Sequence, residues 1–120
     1  MNSMQNVIKW SGSKRSQSSE IIKFFPKEID IYYEPFCGSC SVMHSLMFNE
    51  SIVNKYRCSD SNHDLINLWN NIKNSPSELS EGYKYLWKNL SSLDDIQKKS
   101  DYYMEIRKEF NKDRDCIKFL

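Results

Sequence analysis

The stretch from Ile29 to Gly38 constrains the fold more than any other part of this chain. Ile29, Ile31, Tyr32 and Tyr33 form an apolar run of β-favouring residues that ends in Glu34, Pro35, Phe36 and a turn containing Gly38. A helical pattern starts directly afterwards, with Val42, Met43, Leu46 and Met47 as a narrow apolar stripe. A second strand is expected between Ile52 and Ser59, and Asp60 follows it, 22 residues beyond Gly38. Strand, glycine turn, helix, strand and acid is the layout of a nucleoside-binding α/β unit. The turn lets a ligand approach the backbone at the end of the first strand. The acid ending the second strand accepts hydrogen bonds from ribose hydroxyls.

The rest of the chain extends this pattern. Residues 1–15 read as an irregular arm. Ser16 to Phe25 forms a helix that Pro26 ends. Ser39 or Ser41 is expected to cap the helix after the turn. Asn62 caps the next one, in which Leu65, Leu68, Trp69 and Ile72 share a face. Asn74 to Ser77 is a break. Helices are then predicted through Leu79, Tyr83, Leu86, Trp87 and Leu90, and from Asp101 to Asn111. Strand and helix therefore alternate over residues 28–73, whereas residues 77–120 are helical only. The fold class is α/β: half of a doubly wound, Rossmann-like sheet in residues 1–75, followed from residue 76 by the start of a helical insertion.

The charge balance excludes little. The net charge of +1 does not by itself argue for nucleic acid, although residues 1–27 carry five basic groups against Glu20 alone. No apolar run approaches the ~20 residues of a spanning helix, so a soluble intracellular protein of the cytoplasm or nucleoid, with no membrane partner, is expected. Its four cysteines are then reduced thiols. Cys37-x-x-Cys40, with His44 and Cys58 near, supplies only one spaced pair, where structural zinc usually takes two. The cysteines read as small buried thiols, and no metal is expected.

Four segments, in order, carry a family resemblance. They are Lys9-Trp10-Ser11-Gly12-Ser13-Lys14, Glu34-Pro35-Phe36-Cys37-Gly38-Ser39, the run from Asp60 to Asn67, and Tyr102-Tyr103 with Ile106-Arg107 and Phe110-Asn111. Together they resemble the amino-terminal portion of the Dam-type (D12 class) DNA adenine-N6 methyltransferases, over nearly the whole chain. The resemblance implies S-adenosylmethionine (SAM) as methyl donor, double-stranded DNA with a flipped-out adenine as substrate, and a helical target-recognition part in residues 76–120. It implies cofactor-binding roles for Trp10, Lys14, Glu34, Phe36, Gly38 and Asp60. A methyltransferase turn needs fewer glycines than a dinucleotide fingerprint, because SAM has no pyrophosphate to cradle; Cys40 and Met43 stand where that fingerprint has its later glycines. Each assignment has a plainer rival: an ordinary strand-to-helix turn at Gly38, a helix-terminal acid at Asp60, an aromatic over a sheet edge at Trp10 and a solvated lysine at Lys14. Tyr102, Tyr103, Arg107 and Lys108 are candidates for DNA contact, though aromatics at helical spacing more often belong to a core.

The resemblance also implies a catalytic Asp-Pro-Pro-Tyr-like tetrapeptide downstream. The prolines of this sequence are Pro26, Pro35 and Pro76, none next to another, so no catalytic residue is assigned. A truncated enzyme is expected, inactive alone, with an exposed apolar face around Ile117, Phe119 and Leu120. The alternatives are the SAM-binding half of a split enzyme, completed by a separate carboxy-terminal chain, and a non-catalytic remnant.

Overall fold

In the computed structural model, which describes residues 7–120, the two β-favouring runs are strands β1 (Glu28–Glu34) and β2 (Ile52–Cys58). The first six residues of the expected arm lie outside the described residues. The strands pair in parallel, with Tyr32 opposite Tyr56 and Glu34 opposite Cys58. Parallel neighbours need a crossover. Helix α2 (Ser41–Met47) supplies it and buries Val42 and Leu46. Among the described residues the sheet has these two strands, so the α/β class is observed in a small parallel unit.

Helix α1 (Arg15–Ile21) runs into a 3-10 turn over Ile22–Phe24, and Phe25 is already extended. Pro26 enforces that ending, because its ring disfavours helical backbone at the preceding residue. α1 and α2 are joined by hydroxyls: Ser45 Oγ donates to Ser18 Oγ at 2.7 Å, and Ser18 Oγ donates to the Arg15 carbonyl at 2.9 Å. The Tyr32 ring stands edge-on to Tyr56, with centroids 5.9 Å apart, and 5.8 Å from Phe25.

The capping of α2 departs from expectation. Neither Ser39 nor Ser41 caps it. Cys40 occupies the N-cap position in left-handed backbone (φ 53°, ψ 34°), and Ser41 is the first helical residue. Both hydroxyls are engaged elsewhere. Ser39 Oγ lies 2.8 Å from Ser41 Oγ, and both meet Ser13 Oγ, at 3.1 and 2.9 Å. The orphan N–H of Met43 instead donates to the Glu34 carboxylate at 3.1 Å.

The chain folds as two compact units, one ending at Ser61 and the other spanning Asn62–Leu120. The second is helical. α3 (His63–Asn74) is capped by Asn62, whose side-chain oxygen accepts from Leu65 N–H at 3.1 Å. Ser75 alone separates it from α4 (Pro76–Ser91), with Pro76 at the first position, where its missing N–H is not needed. α5 (Ile96–Asp113) starts earlier than apolar spacing indicates. Its first turn is polar, held by the Asp95 cap (3.1 Å), the Gln97–Asp101 bond (2.9 Å) and the Lys98–Asp94 pair (3.2 Å).

After α5, Arg114 turns the chain in left-handed backbone (φ 55°), and α6 (Cys116–Phe119) folds back. The expected exposed apolar face is therefore largely covered. Phe119 packs on Phe110 with centroids 5.3 Å apart, and Ile117 and Phe119 are half-buried; of that trio only Leu120 is exposed. Ile117 fits over Gly82 of α4, where a β-carbon would stand 2.5 Å from Ile117 Cδ1 and 3.1 Å from Cγ2. Tyr102 is half-buried, its hydroxyl 3.4 Å from the Asn89 amide nitrogen, while Tyr103 is exposed. No helix among the described residues is long and apolar enough to cross a membrane.

Gly82 decides between two opposing effects. Gly82→Ala gains up to about 1 kcal/mol of helix propensity. It also overpacks the α4–α6 contact, which costs about 1–3 kcal/mol. We expect a net loss, read as a lower urea midpoint. A raised midpoint would mean that Ile117 swings aside freely and α6 is only loosely docked.

Candidate functional site

The pairing of β1 with β2 continues past the last strand residues. Ser59 N–H donates to the Glu34 carbonyl at 2.9 Å, and Cys37 N–H donates to the Ser59 carbonyl at 2.9 Å. The next donor along the turn, Gly38 N–H, reaches the Asp60 carboxylate at 3.0 Å. Three successive bonds thus hold the turn against the end of β2. A tight reversal closed by Cys40 N–H donating to the Cys37 carbonyl at 2.7 Å contains Gly38 at φ +52°. An L-residue held there would be destabilised by roughly 1–2 kcal/mol. A β-carbon on Gly38 would also stand 3.2 Å from Cδ1 of Trp10. The position therefore favours glycine both for its backbone angle and for the closeness of the indole.

Local chemistry in the arm explains how the indole gets there. Ser13 N–H donates to the Trp10 carbonyl at 3.3 Å across a turn with Gly12 at φ +75°. Ser13 is then clipped by its hydroxyl to Ser39 and Ser41, the first buried and the second opening α2. Trp10, Glu34, Gly38 and Asp60 are in this way gathered at the carboxyl ends of β1 and β2. Lys14 follows the clip directly, exposed at the start of α1. Phe36 stands on the rim of the turn, 89% exposed.

Glu34 is occupied inward. Its Oε2 accepts from Met43 N–H at 3.1 Å and from the Tyr32 hydroxyl at 3.2 Å. Burial raises the Glu34 carboxyl above the usual carboxylate range, against the pull of those two donors. Burial and the neighbouring Glu34 carboxylate push the Tyr32 phenol up in turn. The residues that sequence reasoning missed are Tyr32, as the partner of Glu34, and Ser13, Ser39 and Ser41, as the clip. Ser39 and Ser41 carried only a capping signal, and their pairing with Ser13 arises between distant segments. Among the described residues no group of three or more His, Cys, Asp or Glu side chains is placed to hold a metal ion.

Comparison with known proteins gives this geometry a context. The family model for D12 class N6 adenine-specific DNA methyltransferases matches residues 10–119. A type II methyltransferase of Methanocaldococcus jannaschii is 34% identical over 115 residues, covering 91% of this chain and 39% of that protein. The DNA adenine methylase of Haemophilus influenzae is 36% identical over 104 residues, covering 87% and 33%. That of Escherichia coli K12 is 30% identical over 108 residues, covering 90% and 34%. The chain thus spans between a third and two fifths of the length of these relatives.

The raised Glu34 carboxyl has a pH consequence. A folded-state pKa above the unfolded value means that the folded chain holds this proton more tightly. The contribution to stability is complete below the unfolded pKa and is lost as pH rises through the folded one. Glu34→Gln removes the ionisation. Its stability relative to wild type should therefore improve as pH is raised from about 4 to about 7 in urea titrations. A difference independent of pH would show that the Glu34 carboxylate is no worse solvated in the fold than outside it.

Proposed function

Because the chain belongs to the D12 class N6 adenine-specific DNA methyltransferases, we propose that residues 1–75 are the SAM-binding half of a site-specific enzyme that methylates adenine N6 in DNA. Residues 76–120 begin its helical target-recognition part. The reading rests on one observation above all: the Gly38 N–H bond to Asp60, at 3.0 Å, beyond the carboxyl ends of two parallel strands. Open α/β sheets bind their ligands at such ends.

The donor set suits a nucleoside with a charged tail. A carboxylate accepts at about four positions, so the Gly38 bond and a ribose diol are compatible demands on Asp60. Gly38 permits close backbone approach. The faces of Trp10 and Phe36 pack on the ligand, and the Lys14 ammonium meets the carboxylate of its methionine part. Glu34 acts from within: by accepting from Met43 N–H it fixes the start of α2, and with it the turn that meets the ligand. SAM, when bound, supplies the methyl group. The remaining task is positioning: an adenine drawn out of the duplex stack, its amino nitrogen in line with the methyl carbon and sulfur. These 120 residues contain no Asp-Pro-Pro-Tyr segment to grip that amine.

Calorimetry with SAM tests the cofactor site, and two substitutions at Asp60 separate roles. Asp60→Asn keeps an oxygen for the Gly38 N–H but loses the charge. It should weaken binding by ~1.5–3 kcal/mol, the worth of a hydrogen bond to a charged group. Asp60→Ala, which also releases the turn, should weaken it further. Unchanged affinity in both variants would remove Asp60 from the site. A second measurement addresses the chemistry. Labelled methyl incorporation into adenine-rich DNA should be absent with these 120 residues alone and appear when a carboxy-terminal segment carrying Asp-Pro-Pro-Tyr is added in trans. Turnover without that segment would refute the claim that the grip on the amine lies outside these residues. No turnover in either case would favour a non-catalytic remnant.

A further inference from the structure

Ser13 is the point at which the arm, the turn after β1 and the starts of α1 and α2 meet. Its Oγ lies 2.9 Å from Ser41 Oγ, accepts from the Ser39 hydroxyl at 3.1 Å and accepts from Arg15 N–H at 3.4 Å. The Ser39 and Ser41 oxygens are 2.8 Å apart, so the three hydroxyls form a closed ring. A hydroxyl has one hydrogen to donate. Ser39 donates to Ser13, so in the ring Ser13 donates to Ser41 and Ser41 to Ser39. Bonds linked in this way polarise one another, and removing one hydroxyl weakens those that remain. Ser39 and Ser41 are 4% and 5% exposed, whereas Ser13 is half-buried. The arm therefore closes the ring from outside.

The arm is held on both sides of Trp10. Ile8, before it, is buried, and Ser13, after it, is in the ring. Between these anchors the indole comes within 3.2 Å of the place a β-carbon on Gly38 would take. Ser13 N–H holds the Trp10 carbonyl at 3.3 Å, and the Lys14 carbonyl, next along, accepts from Gln17 N–H at 3.0 Å as α1 begins. Opening the ring frees the segment that carries both Trp10 and Lys14, with Ile8 and the start of α1 as its remaining attachments.

We propose that Ser13 is a positioning residue of the cofactor site: its hydroxyl, closed into a ring with Ser39 and Ser41, keeps the arm docked on the turn, and SAM binds the docked arm. Ser13 acts through Trp10 and Lys14 rather than on the ligand, and this role rests on the function proposed above. A ligand that meets only the docked arm binds in proportion to the fraction of chains in which the arm is docked. By the same linkage the bound ligand pulls the arm closed. Losing a net hydrogen bond from the ring should therefore raise the Kd for SAM by roughly three- to tenfold.

The test combines calorimetry with SAM and limited trypsin digestion of the whole chain, cut sites being mapped by mass. Ser13→Ala should bind SAM more weakly by the factor given and be cut faster than wild type after Lys9 and Lys14. Ser13→Thr, which keeps the hydroxyl, should restore both. Ser39→Ala should also weaken SAM, and the double variant should lose less than the product of the two single losses, because both open one ring. Losses that simply multiply would mean independent structural damage and would overturn the proposal. So would a Ser13→Ala chain that binds SAM as wild type does, or one whose arm is cut no faster. A wild type that does not bind SAM would sink the proposed function and this role with it, whereas wild-type binding with an indifferent Ser13→Ala would sink this role alone. In wild type SAM should slow the cuts after Lys9 and Lys14. Cuts no slower with SAM bound would overturn the proposal even where a variant fails to fold.

Discussion

Three backbone donors, on Ser59, Cys37 and Gly38, hold the turn after β1 against the end of β2, and the site depends on them. A parallel ladder usually ends with its strands, and the chain then diverges toward the next helix. Here the carbonyl of Glu34 and both backbone polar groups of Ser59 continue the pairing, and the Asp60 carboxylate takes the next donor. The arrangement fixes the turn in space before any ligand arrives. It also ties Gly38 to Asp60, 22 residues away in sequence. Preorganised polar groups at the carboxyl ends of parallel strands lose little freedom when a ligand binds.

Around that seam the unit buries polar groups in pairs. The Glu34 carboxylate is half-buried yet accepts from Tyr32 and Met43, and the three serine hydroxyls of the clip satisfy one another. Among the described residues no buried side-chain nitrogen or oxygen lacks a partner. A hydrogen bond made on burial returns only about 0.5–1.5 kcal/mol net, whereas an unmatched group costs more. Pairing of this kind therefore contributes less to stability than to specifying one arrangement of arm, turn and helix. Its effect is to place Trp10 against Gly38.

Much of this organisation was legible in the sequence. The two β-favouring runs, the Pro26 stop, the Asn62 cap and the apolar stripes of α3 and α4 depend on neighbours within a turn or two, and they lie where local chemistry puts them. The polar start of α5 was not legible, because its support is salt-dependent pairing without apolar periodicity. The docking of α6 was not legible either. Ile117 and Phe119 find partners only after Arg114 reverses the chain, and the pocket over Gly82 belongs to a different helix. The capping of α2 was misread for a related reason. Two serines near a helix start carry a real local preference, and a third serine, distant in sequence, outcompetes it.

The sequence by itself determined the α/β alternation, the glycine at a position that needs left-handed backbone, the acid at the end of the second strand and the order of motifs that marks the family. Each depends on residue type and short-range spacing, which the linear chain records directly. Only the tertiary structure decided that Gly38 N–H and Asp60 share a bond, that Glu34 faces inward to Tyr32 and Met43, and that the Cys58 thiol meets Met43 Sδ. Those pairings join residues on separate elements. Their distances are set by strand register and helix packing, which follow from the sum of many weak contacts and from no single local pattern.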